Sequence, residues 1–246
     1  MKRKAILLGH IDGQLSTNTD LNKVHGFLTS IPGGAWNLNE IVQKTNISRA
    51  SLDELLHDTK IGGYDYVFFY FSGHGGYERG TVLELNPQEE CISERELSNL
   101  ASRQLNIYDC CRSMPDTQTI RISDSFAIDS LSETSNRLRE YVRTIYDARV
   151  MQALKQHMSL YSCKVGECSY DFGDGGIYTK YLIDAAKTFN GNDTYMLAIN
   201  AHSSACLPTA MEARRHNEDQ HPDYFMAKFP SRYQLPLAIN ISAITI

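Results

Sequence analysis

One histidine and one cysteine stand in the sequence where they could form a catalytic pair. His74 follows the aromatic run of residues 64–71 and lies in the segment Ser-Gly-His-Gly-Gly. Cys111 follows a second, shorter apolar run at residues 105–108. If the two runs are adjacent parallel strands, both residues reach the sheet edge where open α/β folds bind ligands. His74 alone fits a polar turn equally well, but a neighbouring base makes a cysteine thiolate a strong nucleophile.

The segments around these two residues resemble the catalytic motifs of caspase-like cysteine peptidases. They read Phe71-Ser72-Gly73-His74-Gly75 and Asp109-Cys110-Cys111-Arg112-Ser113. The Asp-x-Cys-x-Ser form is most similar to metacaspases and their prokaryotic relatives, the orthocaspases. The resemblance implies that Cys111 is the nucleophile, that His74 assists it, and that Cys110 fills a variable position. True caspases carry Gln-Ala-Cys-Arg-Gly with the histidine about 50 residues upstream. Asp109 and the shorter spacing therefore argue against caspase-type aspartate specificity.

The same resemblance implies an oxyanion hole and a primary specificity (S1) pocket. The backbone N–H groups of Gly75 and Cys111 would stabilise the oxyanion. Asp109, Asp20 and Ser72 match the polar positions of the family's S1 pocket. Two carboxylates in one cleft suit a cationic P1 side chain, so we expect arginine to be preferred and lysine tolerated. Without the resemblance, Asp109 is a strand-end residue that accepts nearby N–H groups, and Asp20 is a helix N-cap.

Composition excludes several classes of protein. The chain has 246 residues and a net charge of −5, which argues against nucleic-acid binding because phosphates require a basic surface. Two of its six cysteines are adjacent, which suits a disulfide framework badly, so we expect a reduced, cytoplasmic protein. The apolar run near the N-terminus is too short for a signal peptide, and no segment is long enough to span a membrane.

The remaining sequence predicts the elements that hold the two motifs. Strands are predicted at residues 4–9, 64–71, 81–85, 105–108, 158–163 and 235–239, with a short strand or turn at 39–43. Helices are predicted at residues 20–30, 48–59, 131–157, 177–186 and 203–215. Ser93 and Glu96 form a capping-box pattern that predicts one more helix. Alternating helices and strands indicate a mostly parallel sheet covered on both faces, which matches the three-layer α/β/α sandwich that the resemblance implies. We expect a single peptidase domain over residues 1–246.

Residues 114–157 are predicted to be an insertion that controls activity. Residues 114–130 are polar and lack the periodicity of a core element. The resemblance places the loop between large and small subunits here, followed by a helix. Arg121 and Arg149 are side chains that the expected pocket would accept. We therefore expect cleavage within residues 112–149, by the enzyme itself or an upstream protease, with an intact structural insertion as the equal alternative.

No cofactor is predicted to be required. Metacaspases often need calcium, but Glu89, Glu90 and Asp116 do not reproduce the family's acidic pattern, and we expect no metal site. The expected partner is a protein substrate with an exposed arginine or lysine, and the resemblance suggests a stress, cell-death or antiphage-defence pathway. The sequence carries no signal for the oligomeric state. The alternatives are a catalytically silent scaffold that binds partners, and another hydrolase or transferase that uses the same pair.

Overall fold

The computed structural model describes residues 1–12, 16–113, 136–190 and 192–243. The strands are β1 (Arg3–Gly9), β2 (Ile41–Thr45), β3 (Tyr66–Gly73), β4 (Gly75–Tyr77), β5 (Thr81–Glu84), β6 (Cys91–Ser93), β7 (Arg103–Cys110), β8 (Gln156–Tyr161), β9 (Tyr195–Leu197), β10 (Asp223–Met226) and β11 (Pro236–Ile239). The helices are α1 (Ser16–Thr29), α2 (Arg49–Ile61), α3 (Asn136–Gln152), α4 (Ile177–Lys187) and α5 (Ala198–Arg215).

Six strands form the central sheet in the order β10-β8-β7-β3-β1-β2. The neighbours from β8 to β2 are parallel, and β10 pairs antiparallel with β8 at the edge. β3 lies between β1 and β7, and all its residues are buried. Its unbroken apolar composition is explained by this position, because a strand covered on both faces has no polar side. The predicted central strand and the mostly parallel sheet are therefore confirmed.

Layers on both faces bury the two sets of side chains that alternate along β3. Phe68 and Tyr70 belong to one core, which α1, α3, α4 and α5 cover. Phe69 and Phe71 belong to the other core, which α2 and the small antiparallel sheet β4-β5-β6 cover. The protein thus has the three-layer α/β/α architecture, with a small sheet completing the layer that contains α2.

Two predicted helix starts differ from the structure. α1 begins at Ser16, so Asp20 lies in its second turn and is not the N-cap. The predicted helix after Ser93 is absent, because Ser93 ends β6 and pairs with Val82, and the chain then makes only a turn. The N–H of Ser93 does donate to Glu96 Oε1 at 3.2 Å, so half of the capping box forms without a helix to follow. The N-cap prediction for α2 is confirmed, since Ser48 Oγ accepts from the N–H of Ser51.

The second half of the sheet also shifts relative to the sequence prediction. α3 ends at Gln152 and β8 begins at Gln156, whereas the pattern had placed the helix through residue 157. The last strand, β11, pairs with β9 and not with the central sheet. Residues 114–135 lie outside the described part of the chain.

Candidate active site

The predicted histidine and cysteine emerge side by side from the central sheet. Gly73 of β3 and Cys110 of β7 are register partners, so His74 and Cys111 are the next residues on two adjacent parallel strands. The loops that follow are joined as well, because the Tyr77 N–H donates to the Ser113 carbonyl at 3.0 Å. The fold therefore brings both sequence motifs to one edge of the sheet.

The two neighbouring cysteines occupy different environments. Cys110 is fully buried in the core that contains Phe69 and Phe71. Cys111 lies past the end of β7, is 5% exposed, and its Sγ is 3.8 Å from the Ser169 carbonyl oxygen. Cys110 is enclosed in the core, whereas Cys111 lies just beyond the strand end. These positions favour Cys111 over Cys110 as the reactive residue. All six cysteines of the chain are unbridged.

The strand that follows His74 leaves no room for a side chain at residue 75. A Cβ on Gly75 would lie 2.8 Å from the Val82 carbonyl oxygen and 2.9 Å from Cys110 Sγ. The Glu84 N–H donates to the His74 carbonyl at 3.1 Å, which makes Gly75 and Leu83 a non-hydrogen-bonded pair of the antiparallel ladder. The Gly75 N–H therefore points away from β5. This orientation is compatible with the predicted oxyanion donor.

Asp20 reaches the same sheet edge from α1. Its carboxylate accepts the Ser72 hydroxyl at 2.7 Å and the Gly176 N–H at 2.9 and 3.1 Å. The residue is only 2% exposed. Asp20 and Ser72, which the resemblance assigns to the S1 pocket, are therefore in buried contact with each other. The prediction that Asp20 is the N-cap of α1 is wrong.

Asp109 lies beside it at the end of β7, in register with Ser72. Its Oδ2 accepts the Thr179 N–H at 3.1 Å and the Thr179 hydroxyl at 2.6 Å, and its Oδ1 accepts the Ser169 hydroxyl. Asp109 is also 2% exposed. Asp109 therefore accepts hydrogen bonds from nearby groups, as predicted for a strand-end residue. Its carboxylate also belongs to the polar cluster that contains Asp20 and Ser72.

The proximity of these carboxylates changes the acidity of Asp20. Burial, and then repulsion from Asp109, raise the pKa of Asp20 to about 8, while Asp171 adds a smaller contribution in the same direction. Among the described residues, neither Asp20 nor Asp109 takes part in an ion pair. The cluster therefore has unmatched acidic character, which an incoming cation would relieve.

Arg112, next to Cys111, is held in place by contacts with several other elements. Its guanidinium lies 3.8 Å from the centre of the Tyr161 ring and donates to the Cys163 carbonyl at 3.1 Å. It also forms an ion pair with Asp223 at 3.3 Å. From the sequence, this arginine is only part of the motif, and its contacts explain how the residue after Cys111 is fixed.

Gln220 is a second residue that sequence reasoning missed. It is fully buried, and its amide oxygen accepts the Tyr170 N–H at 2.9 Å. Its amide nitrogen donates to the Ser162 carbonyl and to the Ser169 hydroxyl. Gln220 therefore anchors the loop whose Ser169 contacts both Cys111 and Asp109. A lone glutamine fifty residues downstream of that loop gives no sequence signal for such a role.

The predicted processing and calcium residues are placed as follows. Arg149 lies in α3, is 7% exposed, and donates to the Ser231 carbonyl at 3.2 Å. Glu90 accepts the Arg49 N–H and the Asn86 amide. Arg121 and Asp116 lie outside the described residues.

Over residues 1–12, 16–113, 136–190 and 192–243, no group of three or more His, Cys, Asp or Glu side chains is arranged to hold a metal ion. No helix within those ranges is long and apolar enough to cross a bilayer.

Comparisons with known proteins identify the family to which the chain belongs. The sequence matches the caspase domain over residues 2–225. The fold is similar to caspase-1 from Spodoptera frugiperda, at 14% identity and a TM-score of 0.60, covering 91% of this chain and 86% of that one. It is also similar to a protein from Geobacter sulfurreducens, at 17% identity and a TM-score of 0.59, covering 97% and 99% of the two chains. No curated protein matched the sequence significantly. The family match spans most of the chain, and the protein therefore belongs to the caspase-domain family of cysteine peptidases.

Proposed function

We propose that this protein is a cysteine endopeptidase that cleaves protein substrates after arginine and, less efficiently, after lysine. Family membership supports the peptidase chemistry. The observation that carries the specificity is the pair of buried carboxylates, Asp20 and Asp109, at the sheet edge from which Cys111 emerges. A regulated stress, cell-death or antiphage-defence pathway is the setting that the resemblance to metacaspases suggests.

The proposed reaction proceeds through a thioester. The Cys111 sulfur forms a bond to the carbonyl carbon of the scissile peptide as the thiol proton passes to His74. The oxyanion accepts hydrogen bonds from the N–H groups of Gly75 and Cys111, and each well-placed donor of this kind contributes about 2.7–4 kcal/mol to the transition state. His74 then protonates the leaving amine as the C–N bond breaks. Water finally hydrolyses the thioester and regenerates the thiol.

The carboxylate pair gives the proposed S1 pocket its selectivity. Burial and the neighbouring Asp109 raise the pKa of Asp20 to about 8, which favours its protonated form before substrate binds. A guanidinium beside Asp20 and Asp109 would favour the ionised form and lower that pKa. Arginine can donate to both carboxylates through its planar fork, whereas lysine offers a single compact charge. A P1 aspartate would instead place a third acidic group in a desolvated pocket, which is strongly unfavourable.

A fluorogenic peptide library varied at P1 tests this proposal. We expect cleavage after arginine to exceed cleavage after lysine, and cleavage after aspartate to be negligible. Asp109→Asn should lose activity on arginine substrates while its circular dichroism remains that of the wild type. Asp219→Ala is the matched control, because Asp219 is an aspartate with a 71% exposed side chain. Efficient cleavage after aspartate by the wild type would contradict the specificity, and unchanged arginine cleavage by Asp109→Asn would contradict the pocket assignment.

A further inference from the structure

A second histidine lies against the proposed catalytic one, and we propose that His10 is a positioning residue for His74. The two imidazole rings have centroids 4.9 Å apart and planes inclined at 71°, an edge-to-face contact. His10 is 3% exposed. This inference rests on the proposed peptidase function, since it assigns His10 a role in orienting the group that transfers the proton.

The backbone fixes His10 at the end of β1. Its N–H donates to the Ser72 carbonyl at 3.0 Å, which extends the β1–β3 pairing by one residue. Its carbonyl accepts the Thr17 hydroxyl at 3.0 Å. A side chain with this backbone support and this degree of burial has little freedom to move, so it can serve as a fixed surface for His74.

Gly73, the residue before His74, leaves room for His10 because it has no side chain. Gly73 has a φ of 150°, and a Cβ there would lie 2.7 Å from the Cβ of His10. A glycine at this position is therefore required by the close approach of the two histidine-bearing segments. The first glycine of Ser-Gly-His-Gly-Gly therefore makes room for a specific neighbour.

Glu84 connects the two histidines from a third element. Its N–H donates to the His74 carbonyl at 3.1 Å, and its Oε1 lies 3.5 Å from His10 Nδ1. The same residue of β5 thus holds the backbone of His74 and faces the ring of His10. The other charged groups that act on Glu84 are Glu89 and Asp12, both acidic. The His10 side chain therefore contacts both the Glu84 carboxylate and the His74 ring.

Orientation of the His74 ring controls the proposed chemistry. The imidazole must accept the thiol proton and then deliver it to the leaving amine, and both transfers require hydrogen-bond distance. A displacement of about 1 Å at a reacting group can cost about 100-fold in rate. An edge-to-face neighbour restricts rotation of the His74 ring without touching substrate. His10 should therefore affect turnover more than substrate binding.

Three variants separate ring contact from other roles of His10. His10→Ala and His10→Gln both remove the ring, and His10→Gln keeps a polar group that can face Glu84. His10→Phe keeps an aromatic ring. On an arginyl fluorogenic peptide we expect kcat to fall about 10- to 100-fold in the first two variants with KM within about two-fold of wild type, and to recover substantially in His10→Phe. A residue that only supports the fold would lose kcat in step with its melting temperature, so a melting curve for each variant accompanies the kinetics. His10→Phe as slow as His10→Gln, or losses confined to KM, would overturn the proposal.

Alkylation of Cys111 by iodoacetamide at pH 6 provides a readout that needs no peptide substrate. Modification is followed by tandem mass spectrometry, which distinguishes Cys111 from Cys110. If His10 positions His74, His10→Gln should be alkylated at a rate approaching that of His74→Ala, while the exposed-histidine control His57→Ala should match wild type. A wild-type rate in His10→Gln would overturn the positioning role. A wild-type protein as slow as His74→Ala would instead contradict the dyad on which the proposed function rests.

Discussion

Replacing Gly176 by alanine should displace the Asp109 carboxylate without changing any charge. Gly176 precedes α4 with a φ of −56° and a ψ of 128°, which alanine adopts without strain. The new Cβ would lie 2.3 Å from Asp109 Oδ2, about 1.1 Å short of the 3.4 Å at which ordinary contact begins. The contact is with a hydrogen-bonded buried carboxylate, so α4 or Asp109 must move by roughly this amount.

This movement sets the size of the expected effect. A misplacement of about 1 Å in a substrate-positioning group can lower the rate about 100-fold. Overpacking of a buried site typically costs about 1–3 kcal/mol of stability, which leaves an ordinary domain folded. We therefore expect kcat/KM on an arginyl peptide to fall about 100-fold in Gly176→Ala, with a lowered but cooperative thermal transition.

Gly26→Ala is the matched control, because a Cβ at this interior position of α1 meets nothing within 4 Å. Alanine there should raise the free energy of unfolding by about 1 kcal/mol and leave activity unchanged. Kinetics on arginyl and lysyl peptides, with melting curves for each variant, complete the comparison. If Gly176→Ala retains arginine cleavage within two-fold of wild type, the carboxylate cluster is not the S1 pocket.

Three further predictions concern catalysis, acidity and control. Cys111→Ala and His74→Ala should each abolish peptide cleavage, whereas Cys110→Ala should retain most of it; an inactive, folded Cys110→Ala beside an active Cys111→Ala would reverse the nucleophile assignment. The pKa of Asp20 is raised from 3.8 to about 8, so the unfolded state loses that proton first, and the free energy of unfolding should fall as pH rises from about 4 to about 8. Urea titrations across that range should show a weaker decline in Asp20→Asn, and an identical slope would contradict the raised pKa. Intact-mass measurement should show cleavage within residues 112–149 in purified wild type but not in Cys111→Ala; full-length wild type that is fully active on peptides would exclude a requirement for self-cleavage.

The location of cleavage in this segment depends on local structure. Arg149 is buried within α3, and a protease requires an extended strand, so cutting there would first require local unfolding of the helix. Arg139 and Arg143 are also tied to the body of the protein, through the Thr29 carbonyl and the Glu40 carboxylate respectively. These contacts favour the polar segment 114–130 before α3, and Arg121 within it, as the first site of processing.

The sequence was most informative where local composition determines the structure. The aromatic run of β3 and the shorter apolar run of β7 predicted two buried strands, because short apolar runs rich in aromatic and β-branched residues and ended by turn signals favour strands. The glycines and polar residues that end these runs predicted the edge at which His74 and Cys111 lie. These inferences required only propensity and the parallel arrangement of neighbouring strands.

Tertiary contacts decided what the sequence could not predict. Asp20 resembled a helix cap because the four residues before it have modest helix propensity, but α1 extends through them and the carboxylate binds the N–H of Gly176, far along the chain. Ser93 resembled a capping box, but pairing of β6 with β5 places it in a strand. His10 carried no signal beyond following a short apolar run, because its contact with His74 depends on the pairing of β1 with β3.

The N-terminal end of α4 explains how two carboxylates can be buried together. The Gly176 N–H donates to Asp20 and the Thr179 N–H donates to Asp109, so backbone donors at one helix start stabilise both acidic groups. The remaining hydrogen bonds come from the hydroxyls of Ser72, Ser169 and Thr179, which supply no positive charge. The raised pKa of Asp20 shows that this compensation is incomplete. A substrate cation would complete it, and this incomplete compensation is the physical basis of the arginine specificity that we propose.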